Sequence, residues 1–173
     1  MKAIPVSLAS LLLTFVLPYI LTAKVQSDRE FVDEAGKYKI TLTGEWSPIS
    51  YTDAVGRKKT EFVYRERNEG LLRISKESLN GYSLADISNK ELEGLKLCEA
   101  GVTVGGDKEF DGGILKGRRL AFCYVEDNHW IAATYYFLED RDSVWILRFT
   151  GRMGLIDSYR DMTDSMARSF FPL

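Results

Sequence analysis

Val144 to Thr150 (VWILRFT) constrains the fold more than any other stretch, because apolar side chains stand at both parities. Val144 and Ile146 fall on one side, and Trp145, Leu147 and Phe149 on the other. Successive residues of a strand point to opposite faces, so this strand needs cover above and below. One cover follows it directly. After Gly151-Arg152-Met153-Gly154, residues Leu155, Ile156, Tyr159, Met162, Met166 and Phe170 recur at steps of three and four. Asp157, Arg160, Asp161, Asp164 and Arg168 fall opposite them, which is the pattern of an amphipathic helix over Leu155 to Phe171.

The chain between residues 31 and 150 reads mostly as strands. Tyr38, Ile40 and Leu42 alternate with Lys37, Lys39 and Thr41, and Gly36 marks a turn back to Phe31-Val32. Thr43 to Pro48 reads as a turn, with Trp46 an anchor just beyond the strand. Thr60 to Arg65 and Leu71 to Ser75 form an antiparallel pair across Arg67-Asn68-Glu69-Gly70. A helix follows over Leu84 to Ala100, capped by Ser83 with Asp86 three residues on, and Gly101 suits a left-handed terminus. Its inward stripe is Leu84, Ile87, Leu95 and Cys98. Val102 to Phe110 reads as a short strand. Lys116 to Val125, Trp130 to Leu138 and Ser143 to Thr150 follow as three consecutive antiparallel strands. Strands dominate and helices are segregated, so the expected class is α+β: an antiparallel sheet flanked by helices on both faces.

The first 23 residues are of a different kind. Lys2 is the only charge before Lys24, and Leu11 to Leu17 is an apolar centre ending near Ala23. That layout matches a secretory signal or a retained N-terminal anchor, and places the protein outside the cytoplasm, periplasmic or extracellular. Residues 24-30 read as a linker and 31-173 as one domain, ordinary for 173 residues. A net charge of -2 argues against a nucleic-acid partner.

The sequence offers little chemistry. His129 is the sole histidine and sits in a turn, without a Gly-x-Ser-x-Gly elbow or metal-ligand spacing around it. Acidic turns at Glu126-Asp127 and Glu139 to Asp142 lack the oxygen spacing of a calcium loop. The glycines between Gly101 and Gly117 precede no Gly-Lys-Ser/Thr, so no phosphate loop is present. No catalytic, cofactor or metal site is therefore assigned. Cys98 and Cys123 either form one disulfide, as suits an exported protein, or remain two buried thiols; both readings fit. The basic runs Arg57-Lys58-Lys59 and Lys116-Gly117-Arg118-Arg119 are the surface candidates for an acidic partner, with Arg57, Lys58, Lys59, Arg118 and Arg119 as its residues.

Three pieces of the chain resemble the PsbP-like family, named after an extrinsic subunit of photosystem II. They are Tyr38-Lys39-Ile40-Thr41-Leu42-Thr43-Gly44-Glu45-Trp46, the central helix after two strands, and Phe149-Thr150 followed by Asp164 to Phe170. Thr43 departs from the family's usual proline there. The resemblance covers nearly all of residues 31-171. It implies an αβα sandwich and a binding or assembly role, and carries over no metal site. Together these features predict an exported, non-catalytic accessory module that binds another envelope protein, with a membrane tether through residues 1-23 if that segment is retained. The alternative is a small-ligand carrier or enzyme with a cleft beside the aromatic strands containing Tyr124, Trp130, Tyr135 and Tyr136.

Overall fold

The computed structural model describes residues 28-67, 69-154 and 159-173. The proposed signal or anchor, most of the linker, Asn68 and the start of the expected last helix lie outside these.

Two strands carry the centre. β8 (His129–Asp140) and β9 (Ser143–Arg152) pair antiparallel, from Ile131 opposite Arg152 to Asp140 opposite Ser143. Both bury side chains of both parities. Tyr136, Leu138, Trp145, Leu147 and Phe149 belong to one apolar cluster. Tyr135, Phe137, Val144 and Ile146 belong to another. The double-sided burial expected from VWILRFT is what the chain builds.

Around this centre runs a seven-stranded sheet in the order β3-β4-β5-β9-β8-β7-β6, with every neighbour antiparallel. Its other members are β3 (Trp46–Thr52), β4 (Lys58–Tyr64), β5 (Gly70–Ser78), β6 (Ala100–Gly112) and β7 (Leu115–Glu126). β3 was not expected, since Pro48 cannot donate a ladder hydrogen bond. At the sheet's edge that donor is dispensable. Trp46 opens this strand fully buried, its ring over Gly70. A Cβ at Gly70 would come within 3.2 Å of that ring and 2.9 Å of Tyr64, so glycine is what admits the tryptophan.

A second sheet of three strands, β1 (Arg29–Val32), β2 (Tyr38–Leu42) and β10 (Phe171–Pro172), has the order β1-β2-β10. Its Tyr38, Ile40 and Leu42 enter the first cluster with Met166, Ala167 and Phe170. The latter three come from the closing segment, where helix α2 spans Arg160–Ser169, followed by Phe170 as its C-cap. The expected helix to Phe171 therefore stops short. Pro172 disfavours helical geometry at the residue before it, so Phe171 is extended and pairs with Lys39. Leu155 and Ile156 fall outside the described residues. Asp164, expected on the solvent side, instead turns toward the sheet and accepts from Tyr136.

Helix α1 spans Leu84–Cys98 and belongs to the second cluster through Ile87, with Leu84, Leu92 and Leu95 beside it. The capping box is complete: Asp86 N–H donates to Ser83 Oγ at 3.2 Å, and Ser83 N–H to Asp86 Oδ2 at 2.9 Å. Two details differ from expectation. The helix ends on extended Glu99 rather than a left-handed glycine. Gly101, with φ +64°, sits inside β6, where the register slips between Ala100 and Thr103. It is the residue of a bulge. Cys98, placed on the inward stripe by its spacing, is exposed.

The whole is a mostly antiparallel sheet protein with two helices among the described residues. Much of the cover over the first cluster comes from the small sheet, where a helix alone was expected.

Candidate functional site

α1 lies over β6, β7 and β8 of the main sheet and reaches β9 through Glu91, and β3, β4 and β5 form the margin on that side. One register row crosses both halves. Ile49 stands opposite Glu61, Glu61 opposite Arg73, Arg73 opposite Arg148, Arg148 opposite Tyr135 and Tyr135 opposite Leu120. The row begins at exposed Ile49 and ends in the core beneath α1.

Charges along this row are paired. The Glu61 side chain is 6% exposed; its Oε1 accepts from Arg73 Nε at 2.8 Å and the Tyr51 hydroxyl at 3.1 Å, and its Oε2 forms an ion pair with an Arg67 terminal nitrogen at 2.9 Å. Burial alone would raise its pKa. The Arg73 hydrogen bond and charge, aided by Tyr51 and Arg67, outweigh that and hold it below the ordinary carboxylate range. Arg67 and Arg73 themselves remain 56% and 60% exposed. Arg148 donates from Nε to Glu91 of α1 at 2.9 Å and from a terminal nitrogen to Ser75 Oγ at 2.6 Å, approaches Glu77 at 3.3 Å and lies over the Tyr135 ring. Arg73 and Arg148 face each other across two strands as like charges, a destabilising arrangement unless each has its own acid. Glu61 and Glu91 are those acids.

None of the charged residues in this row was singled out as a site from the sequence, yet a signal was present. Glu61 in TEFVY, Arg73 in LLRIS and Arg148 in WILRFT are each a lone charge inside an apolar strand. Same-parity isolated charges on strands that pair are candidates for one site.

The basic runs fare differently. Arg57 is exposed at the β3-β4 tip, 3.8 Å from Asp53, and Lys58 is exposed and pairs with Glu34 at 3.1 Å. Lys59 stands opposite Tyr51. Arg118 and Arg119 do not share a surface, contrary to expectation. Strand alternation sends them to opposite faces. Arg118 clamps Asp107 at 2.7 Å, and Asp107 accepts from Ser88 of α1. Arg119 is buried, 3.6 Å from Asp164 of α2, where the Tyr136 hydroxyl donates to Asp164 at 2.5 Å and lies 2.9 Å from Thr163 Oγ1. Both arginines tie helices to the sheet.

His129 begins β8, with its Nδ1 2.7 Å from the Asp127 carbonyl. It borders a shallow cleft of about 360 Å³ beside Arg67, Leu71, Tyr124, Ile131 and Arg152. Burial first, then Glu126 and Glu99, push the Tyr124 hydroxyl up to about 12. Cys98 and Cys123 are free thiols, the second part-buried. Among the described residues no group of His, Cys, Asp or Glu is placed to hold a metal ion, and no helix is long and apolar enough to cross a membrane.

No protein-family model matches the sequence, and no curated protein matches it. Solved structures do. The chain is similar to cyanobacterial PsbP (CyanoP) from Synechocystis, with a TM-score of 0.63 at 11% identity, covering 88% of this chain and 96% of that one. It is similar to LpqN of Mycobacterium tuberculosis, described as involved in cell envelope biogenesis, with a TM-score of 0.58 at 10% identity over 84% and 90% of the two chains. The Ran-binding protein Mog1p of Saccharomyces cerevisiae gives a TM-score of 0.60 at 9% identity, over 84% and 95%. Such identities speak to fold alone, and on that ground the chain has the PsbP-like fold.

Proposed function

We propose that this protein is an exported, non-catalytic accessory module that binds another protein of the cell envelope through the half of its main sheet that α1 leaves open. The carrying observation is that half-face. It combines exposed Ile49 and Tyr51 with guanidinium groups held in place by a buried carboxylate. Bound aromatic and arginine side chains are what protein interfaces favour. The neighbours in fold point the same way, one being named for Ran binding and another for envelope biogenesis. We read the layers as α1, main sheet, then α2 with the small sheet, which leaves the β3-β4-β5 margin as the free surface. Residues 1-23 serve in this reading as export signal or tether.

The test is site-specific photo-cross-linking of the full chain in its native envelope. A benzophenone side chain at Ile49 should give discrete protein adducts. The same group at Ile114, which is 71% exposed at the β6-β7 turn, should give none. Equal labelling from both sites, or none from either, refutes the proposal. Fractionation with and without residues 1-23 tests the export part, and a cytoplasmic protein in both cases would sink it. The second reading, a ligand-binding or catalytic cleft, rests on the hollow beside Tyr124 and His129. A small molecule co-purifying with the chain and lost on His129→Ala would favour it.

A further inference from the structure

We infer that the open half-face recognises a single carboxylate side chain on the partner, gripped between Arg67 and Arg73, with apolar residues beside that carboxylate resting on Ile49 and Tyr51. This rests on the protein-binding reading above and specifies what the partner presents.

Glu61 sets the site up. One buried carboxylate stands between two guanidinium groups, so the set carries a surplus positive charge, and that surplus faces water. Arg73 spends Nε on Glu61, and among the described residues its two terminal nitrogens make no further hydrogen bond. A planar fork fixed at one edge and open at the other matches a carboxylate, and its side-chain entropy is already spent. Arg148, directly opposite Arg73, gives no relief, because Glu91, Glu77 and Ser75 occupy it.

The surroundings choose among anions. Glu77 and Glu91 lie along the α1 side of the row, and Glu126 and Asp127 line the cleft that Arg67 borders. A polyanion spread over the face would meet these acids. Anionic membranes are drawn instead by clusters of four to eight basic residues without such a rim. A positive centre bordered by acids on its α1 and cleft sides, with Lys59 beyond it opposite Tyr51, is complementary to one acid flanked by neutral or basic residues.

The probe is an acetylated, amidated pentapeptide, Lys-Leu-Glu-Leu-Lys, added to the isotope-labelled full chain. The readout is the side-chain Nε–Hε resonances of Arg67 and Arg73 and the backbone amides of β4 and β5. Saturable shifts of both arginines are expected, with binding about tenfold weaker for the peptide carrying Gln in place of Glu. Replacing Arg67, Glu61 and Arg73 together by Gln should abolish binding without leaving a buried charge alone. If that triple variant fails to fold, Ile49→Glu keeps the clamp and should weaken binding by a similar factor. Equal shifts with both peptides, no shift, or stronger shifts of these resonances with inorganic phosphate or phosphatidylserine vesicles would overturn the inference. Cross-links from Ile49 with no peptide response would reject the carboxylate while leaving the face as a binding surface. Absence of those cross-links would reject the face itself.

Discussion

Arg119→Met is expected to destabilise the protein by about 3 kcal/mol. Arg119 and Asp164 are 9% and 15% exposed at their side chains and 3.6 Å apart. Removing one partner of a buried ion pair leaves the other charge uncompensated, which costs roughly 3-5 kcal/mol. The lower end applies because the Tyr136 hydroxyl, at 2.5 Å, still donates to Asp164. In a domain of this size each kcal/mol moves the midpoint by roughly 3 °C, so thermal unfolding followed by circular dichroism should show a fall of about 9 °C. Arg118→Met removes a closer but wetter pair, 2.7 Å with side chains 24% and 21% exposed, and should cost about 1-2 kcal/mol. Arg57, whose side chain is 73% exposed, should change stability by less than about 0.5 kcal/mol on the same substitution. The double variant Arg119→Met/Asp164→Leu should regain at least half of the loss, because no lone charge is left inside. A midpoint for Arg119→Met within about 2 °C of the parent would refute the reasoning, as would Arg57→Met costing as much.

Three further outcomes follow from the same structure. Met166 is fully buried in the first cluster, so Met166→Asp should abolish cooperative melting, and an unchanged midpoint would place α2's stripe in solvent. Glu61 has a lowered folded pKa, so its contribution is present above the unfolded carboxylate value and is lost as pH falls through the folded one. Acid titration of stability should therefore lose part of its slope below the ordinary carboxylate range in Glu61→Gln, and superimposable curves would contradict the clamp. Cys98 should react with a maleimide in the folded protein and Cys123 much more slowly, in keeping with their exposure. Protection of both until a reductant is added would reveal a bridge between them.

What the sequence made legible was set by local physics. The apolar parities of β9, the alternation of β2 and the Ser83-Asp86 cap are read within a few residues, and each appears where expected. β3 was hidden by Pro48, whose cost depends on whether a partner strand lies on its N–H side, a fact of sheet order. Gly101 was assigned to a helix end because its left-handed backbone serves a cap and a bulge alike. The three basic residues Lys116, Arg118 and Arg119 look like one patch until strand geometry divides them between two faces. The row from Ile49 to Tyr135 depends on register among five strands, and no local pattern encodes that. Only the lone charges Glu61, Arg73 and Arg148 inside apolar strands announced it.

The pairing of β10 with β2 also bears on when the protein can fold. Thr41 N–H donates to Ser169 Oγ across 128 positions, and Tyr38 stacks on Phe170 at 5.4 Å. Met166, Ala167 and Phe170 of the first cluster thus come from the stretch that follows β9. Contacts of such sequence separation form late, because loop closure must be met before they stabilise anything. A nascent chain lacking its last ten or so residues would leave Tyr38 and Trp145 without the Phe170 ring that packs on both. The first cluster therefore closes only when α2 and β10 have returned to β2.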